Sequence, residues 1–537
     1  MPTNFDVLIV GSGPAGVSAA FPLLEAGLRV LMVDGGKKAS LEPPSDNFLA
    51  WRTHDISQEK WMLGKDFHAL RMLDATSPKL RVPTLSYAFE QFSELNRIST
   101  HDFIAVGSLA TGGLSNAWGC GVARFSIKEL ASFPCDTATM QTAYNEVAQR
   151  IGISGGKNDD LSDYFGLDDC SDDPLEIDKP HTFLYERYTK KREKLVSLGF
   201  RMGRSRVAVL KTDRADRKAC NLSGNCLWGC YRKALYSSSD ELSALQRFPN
   251  FFHRPGFTVT AVNSTQGACC VDGYCSVSQT NITISASKIL LAAGTLATTR
   301  LALQALKLTN PIKVLSCPTG AFLLWIPQLL GATRSAGFGL GQLSFNLTLK
   351  NGLNGFGSTF NPTGIPMTEF LRHLPLKRRF GVSLLSNLLS SCLVGNIFLP
   401  GSLSISEAQL QEDGNLNIRG GYNTDVDKLM SESAEQLRKA FRKLGAIILP
   451  MSFTVGQPGG DIHYAGTFPM KLAPGPGETD HLGELFGLSG IHVIDGAALP
   501  VLPEKSHTLT IMANATRIGH GLTRQFKFPD GWIKNRL

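Results

Sequence analysis

The run Phe5-Asp6-Val7-Leu8-Ile9-Val10 is almost wholly apolar and stops at a glycine loop, the pattern of a short strand buried on both faces. Val17-Ser18-Ala19-Ala20 then opens a helix, Gly27 is placed to end it, and Arg29 to Val33 reads as a second strand. Pro22 falls inside that helix and predicts a kink, because its ring removes an N–H and crowds the preceding turn. Ile511, Met512, Ala513, Ala515 and Ile518 give a last helix, starting near Thr508, the spacing of a buried face. Strand, turn, helix and strand in this order predict an α/β fold.

No uninterrupted apolar run reaches the ~18–20 residues of a membrane span; the stretch Ala321 to Ala332 is broken by Pro327. Arg372, His373, Lys377, Arg378 and Arg379 precede the apolar stretch Val382 to Phe398. Such an order lies at a membrane interface or is a solvated turn feeding a buried element, and the second reading is favoured.

Composition narrows the class without naming a partner. The chain has 537 residues, 43% hydrophobic and 19% charged, so it is globular and too long for a single core. Its net charge of +8 is spread over the whole length, and no basic helix with interleaved aromatics argues for nucleic acid. The aspartate-rich stretch from Asn158 to Asp178 lacks the glycine and terminal glutamate of a calcium loop and reads as solvated surface. Eleven cysteines, an odd number in a large chain, favour reduced thiols and a cytoplasmic location, and the first strand begins too soon for a signal peptide. Cys220, Cys226 and Cys230 do not have the paired spacing of a zinc site and read as buried thiols or a local disulfide.

The loop Gly11-Ser12-Gly13-Pro14-Ala15-Gly16 sits between strand and helix, the context in which G-x-G-x-x-G binds a dinucleotide. Gly11 makes the turn, Gly13 admits a pyrophosphate, and Gly16 lets the helix pack closely; Pro14 suits the first helical turn. Asp34, at the end of the second strand, stands where an acid takes ribose hydroxyls. The turn by itself fits FAD and NAD alike.

Three further stretches lie downstream. Asp461-Ile462-His463-Tyr464-Ala465-Gly466-Thr467-Phe468-Pro469-Met470 precedes Ile494-Asp495-Gly496-Ala497-Ala498-Leu499-Pro500, and Ser506-His507-Thr508-Leu509 follows. Together they resemble the C-terminal signature of the glucose/methanol/choline (GMC) oxidoreductases. Thr111-Gly112-Gly113-Leu114-Ser115-Asn116-Ala117-Trp118-Gly119 is similar to that family's flavin loop, and Lys288 to Leu291 with Ala292-Ala293-Gly294-Thr295 to its late strand and turn.

The resemblance implies a discontinuous Rossmann-like FAD-binding domain (1–40, 100–125, 201–300 and 456–530) with an α+β substrate-binding cap (41–99, 126–200 and 301–455). It implies FAD contacts from Gly11, Gly13, Pro14, Ala15, Gly16, Asp34, Gly113, Ser115, Asn116, Ala117, Val259, Gly294, Asp495, Gly496, Thr508 and Leu509. The backbone of Thr508 or Leu509 is the expected donor to the flavin, with the positive helix end behind it. In the sugar-oxidising pyranose oxidase branch a histidine of the flavin loop is bonded to the cofactor. Ala117 stands there instead, so FAD is expected to be non-covalent unless His101 or another side chain attaches it.

His463 matches the family's base and His507 its partner. An imidazole is suited to taking a hydroxyl proton as hydride leaves carbon for flavin N5. The implied reaction is oxidation of an alcohol of the sugar, glycoside or polyol class, with oxygen, a quinone or a protein as electron acceptor. No metal is expected, since the two histidines are not set in the paired spacing of a metal site. Two rivals remain: a lyase-type enzyme on the same fold, and a disulfide-type flavoprotein reductase, for which a second glycine fingerprint is missing.

Overall fold

The computed structural model describes residues 5–47, 50, 62–71, 77–265, 268–333, 337–365, 368–371 and 375–527. The first apolar run forms strand β1 (Phe5–Val10), followed by helix α1 (Pro14–Glu25) and strand β2 (Val30–Asp34). Val7, Leu8 and Ile9 are each 0% exposed, as the continuous apolar pattern requires of a strand covered on both faces.

β1 lies between β2 and the strand Thr280–Leu291, parallel to both, and β2 pairs in parallel with Phe251–Pro255. Ile491–Val493 joins the sheet parallel to Thr280–Leu291, so the C-terminal part of the chain returns to the N-terminal unit. An antiparallel extension, Phe257–Thr265 and Ala268–Cys275, completes seven strands. The α/β, Rossmann-like expectation holds.

α1 runs through Pro22 with helical backbone on both sides of the proline. The last helix, Thr508–Lys527, packs across α1, and a Cβ on its Gly519 would lie 2.6 Å from the Pro22 ring and 2.9 Å from the Ala19 carbonyl oxygen. The glycine notch on the last helix receives the proline ring.

A second, antiparallel sheet builds the cap, in the order Ile447–Ile448, Thr319–Trp325, Cys392–Phe398, Asn354–Phe360, Leu343–Thr348 and Phe200–Arg204, with Thr454–Val455 beside Thr319–Trp325. The helices Lys179–Val196 and Val426–Leu444 cover it through a core that includes Phe200, Phe322, Phe345 and Phe441. Phe200–Arg204 therefore belongs to the cap sheet, although residue 201 was expected to reopen the FAD domain. The other boundary, at 300, cuts the helix Thr295–Leu306, whose Leu296, Leu301 and Leu303 share a core with Val259 and Val262 of the first sheet. Neither boundary is marked by a change in composition, because apolar strands and helices run through both. A third sheet of four short strands includes Ile98–His101 and Leu416–Arg419.

Of the basic-then-apolar segment, Arg372 and His373 lie outside the described residues. Arg378–Leu388 is a helix, with Phe380 66% exposed and Leu385 1% exposed, and Cys392–Phe398 is an inner strand of the cap sheet. Among the described residues, no helix is long and apolar enough to cross a membrane.

Candidate active site

The glycine turn is built against backbone. Gly11 takes φ +108°, and a Cβ there would stand 2.3 Å from the Ala292 carbonyl oxygen. A Cβ on Gly16 would stand 2.0 Å from the carbonyl oxygen of Gly11, so the helix packs directly on the turn. Gly13 differs: its φ is −68°, and a Cβ there would meet nothing within 4 Å. α1 starts beside it with no side-chain cap, leaving first-turn N–H groups directed at this gap. An open, backbone-lined gap at an uncapped helix N-terminus suits a pyrophosphate.

The loop at 111–119 closes over the turn. A Cβ on Gly113 would lie 3.2 Å from Gly13 Cα, and the Gly112 N–H donates to Ser12 Oγ at 3.0 Å. Ser115 donates to the Gly112 carbonyl (2.6 Å) and accepts the Ser238 N–H (2.9 Å). Asn116 donates to the carbonyls of Thr111 and Gly113, each at 2.9 Å.

Asp34 sits at the end of β2, 6% exposed. Ser12 and His253 Nε2 (3.0 Å) bond its Oδ2, while the Gly36 N–H (2.8 Å) and Thr111 Oγ1 (3.2 Å) donate to Oδ1. A carboxylate has about four acceptor sites. These are engaged, so a ribose hydroxyl reaches Asp34 by replacing one of these donors.

A cavity of about 520 Å³ joins these parts. Its lining includes Gly11, Gly13, Pro14, Ala15, Asp34, Gly113, Ser115, Ala117, Val259, Gly294, Asp495, Gly496, Thr508, His463 and His507, and on the cap side Ser344, Phe356, Ser358, Asn396 and Phe398. Three expected contacts do not line it. Gly16 is behind the turn, Asn116 ties the loop to itself, and Leu509 is fully buried on the helix flank, leaving Thr508 and Ile511 at the wall. His101, the alternative attachment point for a flavin, is exposed, pairs with Asp102 at 3.0 Å and does not line the cavity.

Asp495 organises the wall rather than standing free in it. It accepts the N–H groups of Gly294 (2.9 Å) and Ala497 (3.0 Å) and the Thr298 hydroxyl (2.5 Å), and burial pushes its carboxyl up to about 6.

The fold brings the two histidines together, with ring centroids 5.0 Å apart and planes at 71°. Phe398 of the cap packs 5.2 Å from the His463 ring. Nδ1 of each imidazole is buried without a hydrogen-bond partner, which leaves Nε2 as the nitrogen on the accessible side. Burial lowers His463 to about 4; burial and the neighbouring His463 hold His507 well below the usual histidine range. Both rings are neutral near pH 7, the form that can accept a proton.

Two features behind His463 carry no sequence signature. Ile462 adopts φ +60°, which is unusual for a β-branched residue and costs about 1–3 kcal/mol. It separates Asp461 from His463 and fixes how the two side chains face. Asp461 Oδ2 lies 3.9 Å from His463 Nδ1 and accepts the Cys317 N–H at 2.6 Å, and burial raises the Asp461 carboxyl well above its ordinary range. Cys317 reaches the site through the chain segment just before Thr319–Trp325. Cys220, Cys226 and Cys230 are free thiols and pack around buried Cys120, Val207 and Phe338.

Comparison with known proteins bears on the fold and on the nucleotide end. A family model described as an FAD binding domain matches residues 4–57. Sequence comparison with curated proteins finds no match. Among solved structures, one of formate oxidase from Aspergillus oryzae RIB40, from a study of a mutation's effect on FAD modification, aligns with a TM-score of 0.61 at 12% identity, covering 98% of this chain and 99% of that one. That likeness concerns the fold. With the matched domain, the backbone-lined gap at Gly13 and the parallel sheet behind it, the chain is an FAD-binding protein of Rossmann-like architecture with an added cap.

Proposed function

We propose that this FAD-binding chain is an oxidoreductase of the glucose/methanol/choline type, which oxidises the CH–OH carbon of an alcohol to a carbonyl. The observation that carries this reading is the neutral His463–His507 pair, placed in the same cavity as the glycine turn and facing the cap. FAD held there supplies the hydride acceptor. His463 Nε2 takes the hydroxyl proton, which requires the ring's own proton on Nδ1, the side of Asp461. His507 orients the hydroxyl from the second edge, and Phe398 keeps water from the imidazole.

The cap wall supports a hydroxyl-rich substrate of the sugar, glycoside or polyol class. The Ser205, Ser344 and Ser358 hydroxyls form a chain with links of 2.8 and 3.0 Å, and the Ser358 N–H donates to Asn396 Oδ1 at 2.8 Å. Such groups exchange partners readily with substrate hydroxyls. The electron acceptor falls among oxygen, a quinone and a protein, and the free thiols Cys220, Cys226 and Cys230 accord with a reducing, cytoplasmic compartment.

FAD is held without a covalent bond, since Ala117 offers no nucleophile at the flavin loop and His101 stands away from the cavity. Acid precipitation of the purified yellow protein should release FAD into the supernatant. Colour that stays with the pellet contradicts the non-covalent reading.

A further inference from the structure

We infer that Cys317, Asp461 and His463 form a binding site for a soft divalent cation of the zinc class, whose occupancy switches off the imidazole. One ligand atom from each residue lies within 4.8 Å of the other two, so a thiol sulfur, a carboxylate oxygen and an imidazole nitrogen converge on one point. This Cys, Asp and His donor set is the kind that favours Zn²⁺ over harder cations such as Mg²⁺ or Ca²⁺.

The site has unspent coordination capacity. The Asp461 side chain is 0% exposed, and its Oδ1 has no hydrogen-bond partner. His463 Nδ1, on the same side, also has none. Cys317 is 0% exposed; its thiol donates to the Pro503 carbonyl oxygen at 3.4 Å, and the Gly401 backbone N–H faces its sulfur. Buried polar atoms left unpaired are costly, and a cation would satisfy both at once. With Zn–S of about 2.3 Å and Zn–N or Zn–O of about 2.0–2.2 Å, the ligands need to close in by about 1 Å. Binding releases the thiol proton and the proton that burial keeps on the Asp461 carboxyl to solvent, and leaves a fourth position for water.

Metal on Nδ1 forces the imidazole proton onto Nε2. The ring then presents a donor to the cavity where the reaction needs an acceptor. This consequence rests on the base assigned to His463 above; the binding itself does not.

The test is equilibrium dialysis of the flavin-loaded protein against Zn²⁺, with metal counted per chain and the bound zinc's ligands read by X-ray absorption. The expected result is one zinc per chain with a single sulfur ligand. Cys317→Ser should remove that sulfur, and both Cys317→Ser and Asp461→Asn should weaken retention on the order of 10- to 100-fold while keeping flavin. Absence of retained zinc overturns the inference. Zinc with several sulfur ligands also overturns it, since that pattern points to the Cys220, Cys226 and Cys230 cluster, as does retention that neither variant changes.

Discussion

His463→Ala is expected to keep its bound yellow flavin while anaerobic flavin reduction by an alcohol slows by about 10²–10⁴-fold, the usual contribution of a positioned base. The flavin should stay because His463 belongs to the far wall, away from the glycine turn and the Gly112–Gly113 contact that build the nucleotide end. The loss should appear in the rate of reduction at saturating substrate rather than in binding, since the proton moves only in the reacting complex. Stopped-flow absorbance under anaerobic conditions separates the two. A near-normal reduction rate would remove His463 from the chemistry and leave His507, 5.0 Å away, as the remaining imidazole.

Gly13→Val should give the opposite result, a folded protein that purifies pale. The backbone at Gly13 has φ −68°, which valine adopts without strain, and the space a Cβ would enter is open. The added methyl groups enter the gap in front of the helix N-terminus, so FAD binding should weaken by roughly 10- to 100-fold, in line with the ~1–3 kcal/mol cost of overpacking. The melting temperature of the flavin-free protein should barely move. Gly11→Ala should differ sharply, since its Cβ would meet the Ala292 carbonyl oxygen at 2.3 Å in a turn with φ +108°. That variant should lose fold and flavin together. Flavin titration with thermal melts of the flavin-free proteins checks both, and a Gly13→Val protein that binds FAD normally would place the pyrophosphate elsewhere.

The nucleotide end was legible because its chemistry is backbone chemistry. Gly11, Gly13 and Gly16 stand at fixed spacing in one short turn between strand and helix, and the run Phe5–Val10 is apolar enough to mark a buried strand. His463 and His507 were legible as motifs, but their proximity was not, since a long stretch of chain and the helix start at Thr508 bring them together. The rest of the site comes from pairing between distant strands. Phe398 and Asn396 come from one cap strand, and Ser344 and Ser358 from two others. Antiparallel strands of this kind carry a two-residue alternation with nothing to mark which face a substrate meets. Cys317 was one of eleven cysteines in sequence, and only the fold sets it beside Asp461. The packing of Pro22 was hidden for the same reason: the notch that receives its ring is Gly519, near the other end of the chain.

The central claim, that this flavoprotein takes its electrons from an alcohol, is tested most directly by mixing the anaerobic flavin-loaded protein with alcohols, sugars and polyols, and separately with NADPH and with a dithiol. Flavin absorbance and carbonyl product are followed together. The account predicts that one class of alcohol bleaches the flavin with one carbonyl formed per flavin, while NADPH and the dithiol leave it oxidised. Flavin that NADPH or the dithiol bleaches while every alcohol leaves it yellow would contradict the account.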